Sequence, residues 1–271
     1  MTTRWRKGGK PMAVVDMSCD LGESYGNFKV GSDEEVIPYI ASASVGCGFH
    51  GGDPSTMRST AELASSRGVR LGAHPGFPDL LGFGRRNMYV SSRDITNYVL
   101  YQVGAFSAMC RVVGVSMQHV KPHGALNDMA AQDRRMAEAI VDAVALYDPA
   151  LVLYTTWNSE VREVARAKGV PVALEVYADR SVDDNGIEIA GYDLTTLGGT
   201  VEAAIDRVVS ALKTGKLRTS SGRTIDWTSN SVCFHGDSKD TLRFAKGLRS
   251  AIEAAGIEVR PPADWTANAK Q

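Results

Sequence analysis

Cysteine is scarce in this chain, and what there is does not pair. Cys19, Cys47, Cys110 and Cys233 show no C-x-x-C spacing and no evident disulfide frame. That excludes a cysteine-stapled secreted scaffold and leads us to expect a reducing, cytoplasmic compartment. Excess charge of one sign is also missing. Lys plus Arg total 30 against 31 for Asp plus Glu, a formal net charge of -1. No field of that size draws a protein onto nucleic acid or an anionic membrane. No apolar run approaches the ~18 residues of a membrane span. The basic start "MTTRWRKGGKP" lacks an apolar h-region, so residues 1–12 are expected to be a flexible leader rather than a secretory signal. No Pro/Ser-rich linker divides the 271 residues. One domain over 13–260 and a tail over 261–271 are therefore expected. There is no G-x-x-x-x-G-K-[ST] loop, so any ATP site is of another kind. No helical pattern carries an H-x-x-x-H pair, so metal ligands would have to come from different strand ends.

What is present is alternation. Seven short apolar runs read as buried strands: "AVVDMSCDLG", "ASASVGCGF", "VRLGAHP", "SMQHVKPHG", "LVLYTT", "PVALEVYAD" and "NSVCFHGD". Between them lie patterns of period 3.6. Ile95, Val99, Phe106, Cys110 and Val113 share one face; so do Met136, Ile140, Val144 and Tyr147. Val201, Ile205, Val208 and Leu212 run to a terminating Gly215, and Leu242, Ala245, Leu248 and Ile252 run to Gly256. Residues 181–200 read as an excursion or lid, and "KLRTSSGRTIDW" as a small hairpin turning at Ser-Gly. Strands alternating with amphipathic helices make parallel βα units, either an open sheet or a closed barrel.

The strand ends favour the barrel. Nearly all carry reactive groups: Asp20 and Glu23; Cys47, His50 and Asp53; His74 and Asp79; Lys121 and His123; Glu175, Asp179 and Arg180; His235 and Asp237. A closed parallel barrel gathers all such ends on one face. An open sheet gathers them only at a switch point. The loop "GCGFHGGDP" has the G-x-G-x-x-G spacing of a dinucleotide fingerprint, but the context is wrong. Asp53 and Pro54 mark the helix start as N-cap and first helical residue, so all three glycines precede the helix. The acid expected after the next strand is replaced by "GAHPG". The loop instead presents Cys47 and His50 to the crater.

The stretches "DMSCDLGESYG", "CGFHGGDP", "GAHPGFPDLLGFGRR", "VKPHGAL" and "EVYADR", from about Val14 to Asp237, resemble the LamB/YcsF family of 5-oxoprolinase A subunits. The resemblance implies an α/β fold, a seven-stranded parallel (β/α) barrel of the glycoside hydrolase and polysaccharide-deacetylase type. It implies ATP-dependent opening of 5-oxoproline to glutamate, with Mg²⁺, together with separate B and C subunits. Site positions carried over are Asp20, Glu23, Cys47, His50, Asp53, His74, Asp79, Arg85, Arg86, Lys121, His123, Glu175, Asp179, Arg180 and His235. The chain departs from the family pattern at Ser18 and Ser44 (usually Asn), at Gly46 and Gly51 (usually Ala), and at Asn127 and Asp128 (usually Tyr and Asn). These departures leave a different lactam or cyclic amide open as substrate.

Opening an unstrained lactam through phosphorylation of its oxygen needs cations, a base for water and donors for the oxyanion. We expect Glu23, Lys121 and His123, with Asp20 and His50, to carry the chemistry. Lys121 is expected to meet a carboxylate such as Asp20, or a ligand phosphate. Cys47, Asp53, His74, Asp79, Arg85, Arg86, Glu175, Asp179, Arg180 and His235 are candidates for binding substrate or anion. Several have a structural alternative: Asp53 as helix cap, Cys47 as a small buried thiol, Asp179 and Arg180 as a brace. His50, His74 and His123, with Asp20 or Glu23, could hold a divalent metal. His119 reads as a wall residue. Two other functions stay open: a metal-dependent cyclic amide hydrolase acting without ATP, and a non-catalytic, substrate-binding partner protein. All three are compatible with a homo-oligomer.

Overall fold

The computed structural model describes residues 3–4, 12–262 and 264. Seven parallel strands close on themselves: β1 (Met12–Leu21), β2 (Ser42–Gly46), β3 (Arg70–His74), β4 (His119–Val120), β5 (Val152–Thr156), β6 (Val172–Tyr177) and β7 (Ser231–His235). They pair in sequence order around the ring, and β1 closes it against both β2 and β7. Ser18 pairs with Ser42 on one side and Cys233 on the other. The closed barrel is thus the solution, not the open sheet. Every residue of β2 and β5 is buried. Strands covered on both faces read as unbroken runs, which is why all seven were legible.

Helices α1 (Pro54–Ser66), α2 (Ser92–Val112), α3 (Gly124–Ala130), α4 (Arg134–Tyr147), α5 (Glu160–Lys168), α6 (Val201–Thr214) and α7 (Thr241–Ala254) cover the barrel. Their ends follow cap chemistry. Ser159 caps α5 through Val161 N–H, and Gly169 closes it in the left-handed conformation. Helices α3 and α5 carry no pattern long enough to be read in advance. The 181–200 excursion contains a hairpin, Ser181–Val182 with Glu188–Ile189, and a 3₁₀ turn at Leu194–Leu197. The hairpin of Lys216–Arg218 with Thr224–Asp226 is present as expected. Glu258–Val259 add a short parallel pairing to the start of β1, which the sequence did not disclose. Thr3–Arg4 pair antiparallel with Met12–Ala13. The rest of the expected leader and most of the expected tail lie outside the described residues.

Strand β4 is only two residues long, so Lys121 and His123 sit just past its end, at the level of Asp20 near the end of β1, of His74 ending β3 and of His235 ending β7. Closure of the ring, rather than proximity in sequence, brings these groups together.

Candidate active site

At the carboxyl ends of the strands lies a buried cluster of charges and rings. The Lys121 ammonium donates to Asp20 Oδ1 at 2.8 Å and Oδ2 at 3.1 Å, and to Cys233 Sγ at 2.9 Å. Glu175 Oε1 lies 3.7 Å away, and the Tyr177 ring faces the ammonium. Burial works against a charged lysine, but Asp20 and its neighbours outweigh it and hold the Lys121 pKa well above the usual value. Asp20 is likewise buried, and His74 and Lys121 hold its carboxyl well below the ordinary range. Glu175 is different: burial pushes it to about 7, its Oε1 accepts from Ser18 Oγ, and its buried Oε2 has no hydrogen-bond partner.

Beside this pair stand three imidazoles and Glu23. The His50 and His123 rings stack with centroids 3.7 Å apart. His50 Nε2 is 3.0 Å from Glu23 Oε1, His123 Nδ1 is 3.6 Å from it and His74 Nε2 is 3.8 Å. Backbone carbonyls fix two tautomers. His74 Nδ1–H donates to Lys121 O at 2.7 Å, and His123 Nε2–H donates to Phe83 O at 2.7 Å. The remaining nitrogens, His74 Nε2 and His123 Nδ1, then face each other at 2.9 Å. Two neutral imidazoles cannot satisfy that contact with two lone pairs; it needs a proton or a metal cation between them. One ligand atom from each of Glu23, His50, His74 and His123 lies within 4.8 Å of the others. Glu23, one of the two carboxylates expected for this set, joins the imidazoles, while Asp20 Oδ2 lies 3.2 Å from His74 Nε2. Burial lowers His50 to about 3 and raises Glu23 to about 7. His50 Nδ1 is buried without a partner.

Small residues make room for this packing. A Cβ on Gly76 would come 2.6 Å from His50 Nδ1, and one on Gly84 would come 2.8 Å from His123 Cδ2. Phe83, between Gly82 and Gly84, has φ +53°, a left-handed conformation unusual for a bulky side chain. Asp79 holds that loop, accepting from Gly82 N–H and from Arg86, while its backbone carbonyl accepts from Gly84 N–H. The Asp79–Arg86 pair thus supports the carbonyl that orients His123.

The remaining candidates divide by position. His235 Nε2 lies 3.6 Å from Asp20, and its Nδ1 bonds Asp179 at 2.9 Å. Arg180 braces Asp179 and Asp237, and Arg85 bonds Asp237 at 2.8 Å. Four candidates are placed elsewhere. Cys47 Sγ points to Val45 O, and burial pushes its thiol to about 12. Asp53 accepts from Ser55 and Thr56 N–H as the α1 cap and from Gly26 N–H. Asp79 and Arg86 pair with each other in the loop. Their bonding partners are structural, so these four do not present free groups to the cluster.

A small cavity opens above Lys121 and His235, walled by Arg85, Asn127, Asp128 and Glu188. Asn127 and Asp128 therefore do border it, whereas Ser18 and Ser44 bond Glu175 and His119 within the barrel. Glu188 was not foreseen. It lies in the aperiodic 181–200 stretch, and only the hairpin turns it over the crater. Burial, reinforced by Asp128, raises its pKa to about 8.

Comparison with known proteins identifies the family. The family model described as "LamB/YcsF family" matches residues 15–267. The 5-oxoprolinase A subunit of Bacillus subtilis (strain 168) is 44% identical over 248 residues, covering 92% of this chain and 96% of that protein. The 5-oxoprolinase A subunit of Clostridium beijerinckii is 45% identical over 250 residues, covering 92% and 98%. The crystal structure of the lactam utilization protein from Thermus thermophilus superposes with a TM-score of 0.83 at 39% identity, covering 91% of this chain and 99% of that one.

Proposed function

Because this chain belongs to the LamB/YcsF family, we propose that it is the A-type component of an ATP-dependent 5-oxoprolinase, opening 5-oxoproline or a close cyclic amide to the amino acid. The observation that carries the reading is a buried ammonium–carboxylate pair set against three imidazoles at the strand ends, in a chain similar along nearly its whole length to proteins named as 5-oxoprolinase A subunits. An enzyme with lettered subunits has more than one, and in this reading the partners are the B and C types.

The chemistry follows from lactam stability. Phosphorylation of the ring oxygen removes amide resonance. Water then adds to the ring carbon, and the tetrahedral adduct expels the nitrogen, which takes up a proton. The resulting acyl phosphate is hydrolysed by a second water to carboxylate and inorganic phosphate. In this reading Glu23, backed by His50, accepts the proton of the attacking water. Lys121 and His235 donate to charge developing on oxygen. His123 and His74 relay a proton between their facing nitrogens. The donor set of Glu23, His50, His74 and His123 also fits a divalent metal, which would supply a Lewis acid at the same place.

The test is turnover. The purified chain with its B and C partners and ATP should release one glutamate and one phosphate per 5-oxoproline, and none with ATP omitted. No ring opening of any cyclic amide under every combination of partners, ATP and metal, with the chain folded, rejects the reading.

A further inference from the structure

We propose that the cleft beside the crater, between Arg85, Arg180 and Lys239, is a subsite for a phosphoryl dianion. The assignment of a phosphoryl group, as against another oxyanion, rests on the ATP-coupled reading above. The crater itself is a poor place for such a group. Asp20, Asp128 and Glu188 all line it, and Glu23 and Glu175 lie next to it. Across Arg85 the balance changes. The neighbouring cleft is lined by Arg85, Arg180, Lys239, Ser238 and Tyr192, with Asp237 as its one carboxylate. Arg85 borders both spaces, so a ring held over Lys121 and a phosphoryl group held in the cleft would share one guanidinium.

Asp237 shows how the site binds an anion. Its carboxylate is gripped by Arg180 at 2.9 Å and by Arg85 at 2.8 Å, the arrangement of an oxyanion between two guanidinium groups. Its side chain is a quarter exposed, and the Arg85 guanidinium makes no other hydrogen bond among the described residues, so an incoming dianion can displace it from Arg85. Arg180 is almost fully buried and keeps a further Nε–H with no partner. The exposed Lys239 ammonium makes no hydrogen bond among the described residues, and Ser238 adds a hydroxyl.

Inorganic phosphate, titrated into the folded chain at constant ionic strength and followed by calorimetry, tests this. Saturable binding is expected, weakened at least tenfold by Lys239→Glu and by Arg85→Ala, and largely kept in Lys239→Arg. Competition by Mg·ATP would identify a nucleotide as the source. Binding of phosphate without such competition would identify the phosphorylated lactam. No saturable binding, or equal affinity in wild type, Lys239→Glu and Arg85→Ala, overturns the subsite. Phosphate bound in the cleft with no lactam turnover removes the ATP-coupled reading and leaves the anion site. Turnover without phosphate binding removes the subsite alone.

Discussion

Two buried polar layers occupy the same barrel, and they are wired differently. The lower one centres on Asp16. Its Oδ1 accepts from Ser42, and its Oδ2 accepts from Tyr154 and Ser231. Nearby, Gln118 donates to Ser42 and to His119 Nδ1, so His119 Nε2–H donates to Ser44. Each of these polar side chains has a complementary partner. The upper layer, at the strand ends, has facing imidazole lone pairs, an unpartnered His50 Nδ1, an unpartnered Glu175 Oε2 and an ammonium on a thiol. A satisfied network specifies packing; buried groups left without partners call for a functional explanation. The comparison separates two histidines that share fold and burial: His119 supports the wall, while His123 faces the site.

That contrast can be broken by experiment. The largest effect is expected in the upper layer: Lys121→Met or His123→Ala should lower lactam turnover by roughly 10²–10⁴-fold with circular dichroism unchanged. Turnover within a factor of two of wild type in both would erase the distinction. In the lower layer, Asp16→Ala strands three hydroxyl donors and should cost about 3 kcal/mol of stability in urea unfolding, while the cluster above keeps its chemistry. Should Asp16→Ala abolish turnover in protein that remains folded, the layers are one system.

Metal offers a sharper discrimination. Zinc or manganese at a hundredfold excess over its Kd should raise stability by about 2.7 kcal/mol through the upper cluster. Glu23→Gln should remove much of that gain and Asp16→Asn none of it. An unchanged melting temperature with either ion means that a proton, not a metal, bridges His74 and His123.

Titration gives an effect of similar size. Burial raises Glu175 to about 7 in the folded chain, facing Lys121 and, more distantly, Asp20 and Asp16. Its protonated form therefore stabilises the fold fully below the unfolded value near 4.5 and progressively less as pH rises to about 7, a loss on the order of 3 kcal/mol. Glu175→Gln should flatten the fall in stability between about pH 4.5 and 7; an unaltered slope contradicts the assignment. The smallest effect belongs to a residue outside both layers. Asp53→Ala should cost about 1 kcal/mol through the lost α1 cap, with KM unchanged. A raised KM would return Asp53 to the site.

Much of this was legible in one dimension. Seven buried strands announced themselves because both faces are covered, and Asp53–Pro54 announced α1 because capping is local. The pairing of Lys121 with Asp20 followed from the cost of burying an ammonium alone. Position in the chain left open whether Cys47 turns into the wall and whether Asp20 or Glu23 joins the imidazoles, and it gave no sign that Glu188 hangs over the crater. Gly72 illustrates why. It reads as a weak point in a strand, yet a Cβ there would lie 2.1 Å from the His119 ring, which comes from a neighbouring strand.

Periodicity, caps and the inventory of reactive side chains were thus determined by the amino-acid order alone, because each depends on residues a few positions apart. Which lone pairs meet, which carboxylates stay charged and which thiol is shut away were decided only when the ring of strands closed. Those properties depend on distance, desolvation and partner across the barrel, between residues as far apart in sequence as Ser18 and Glu175.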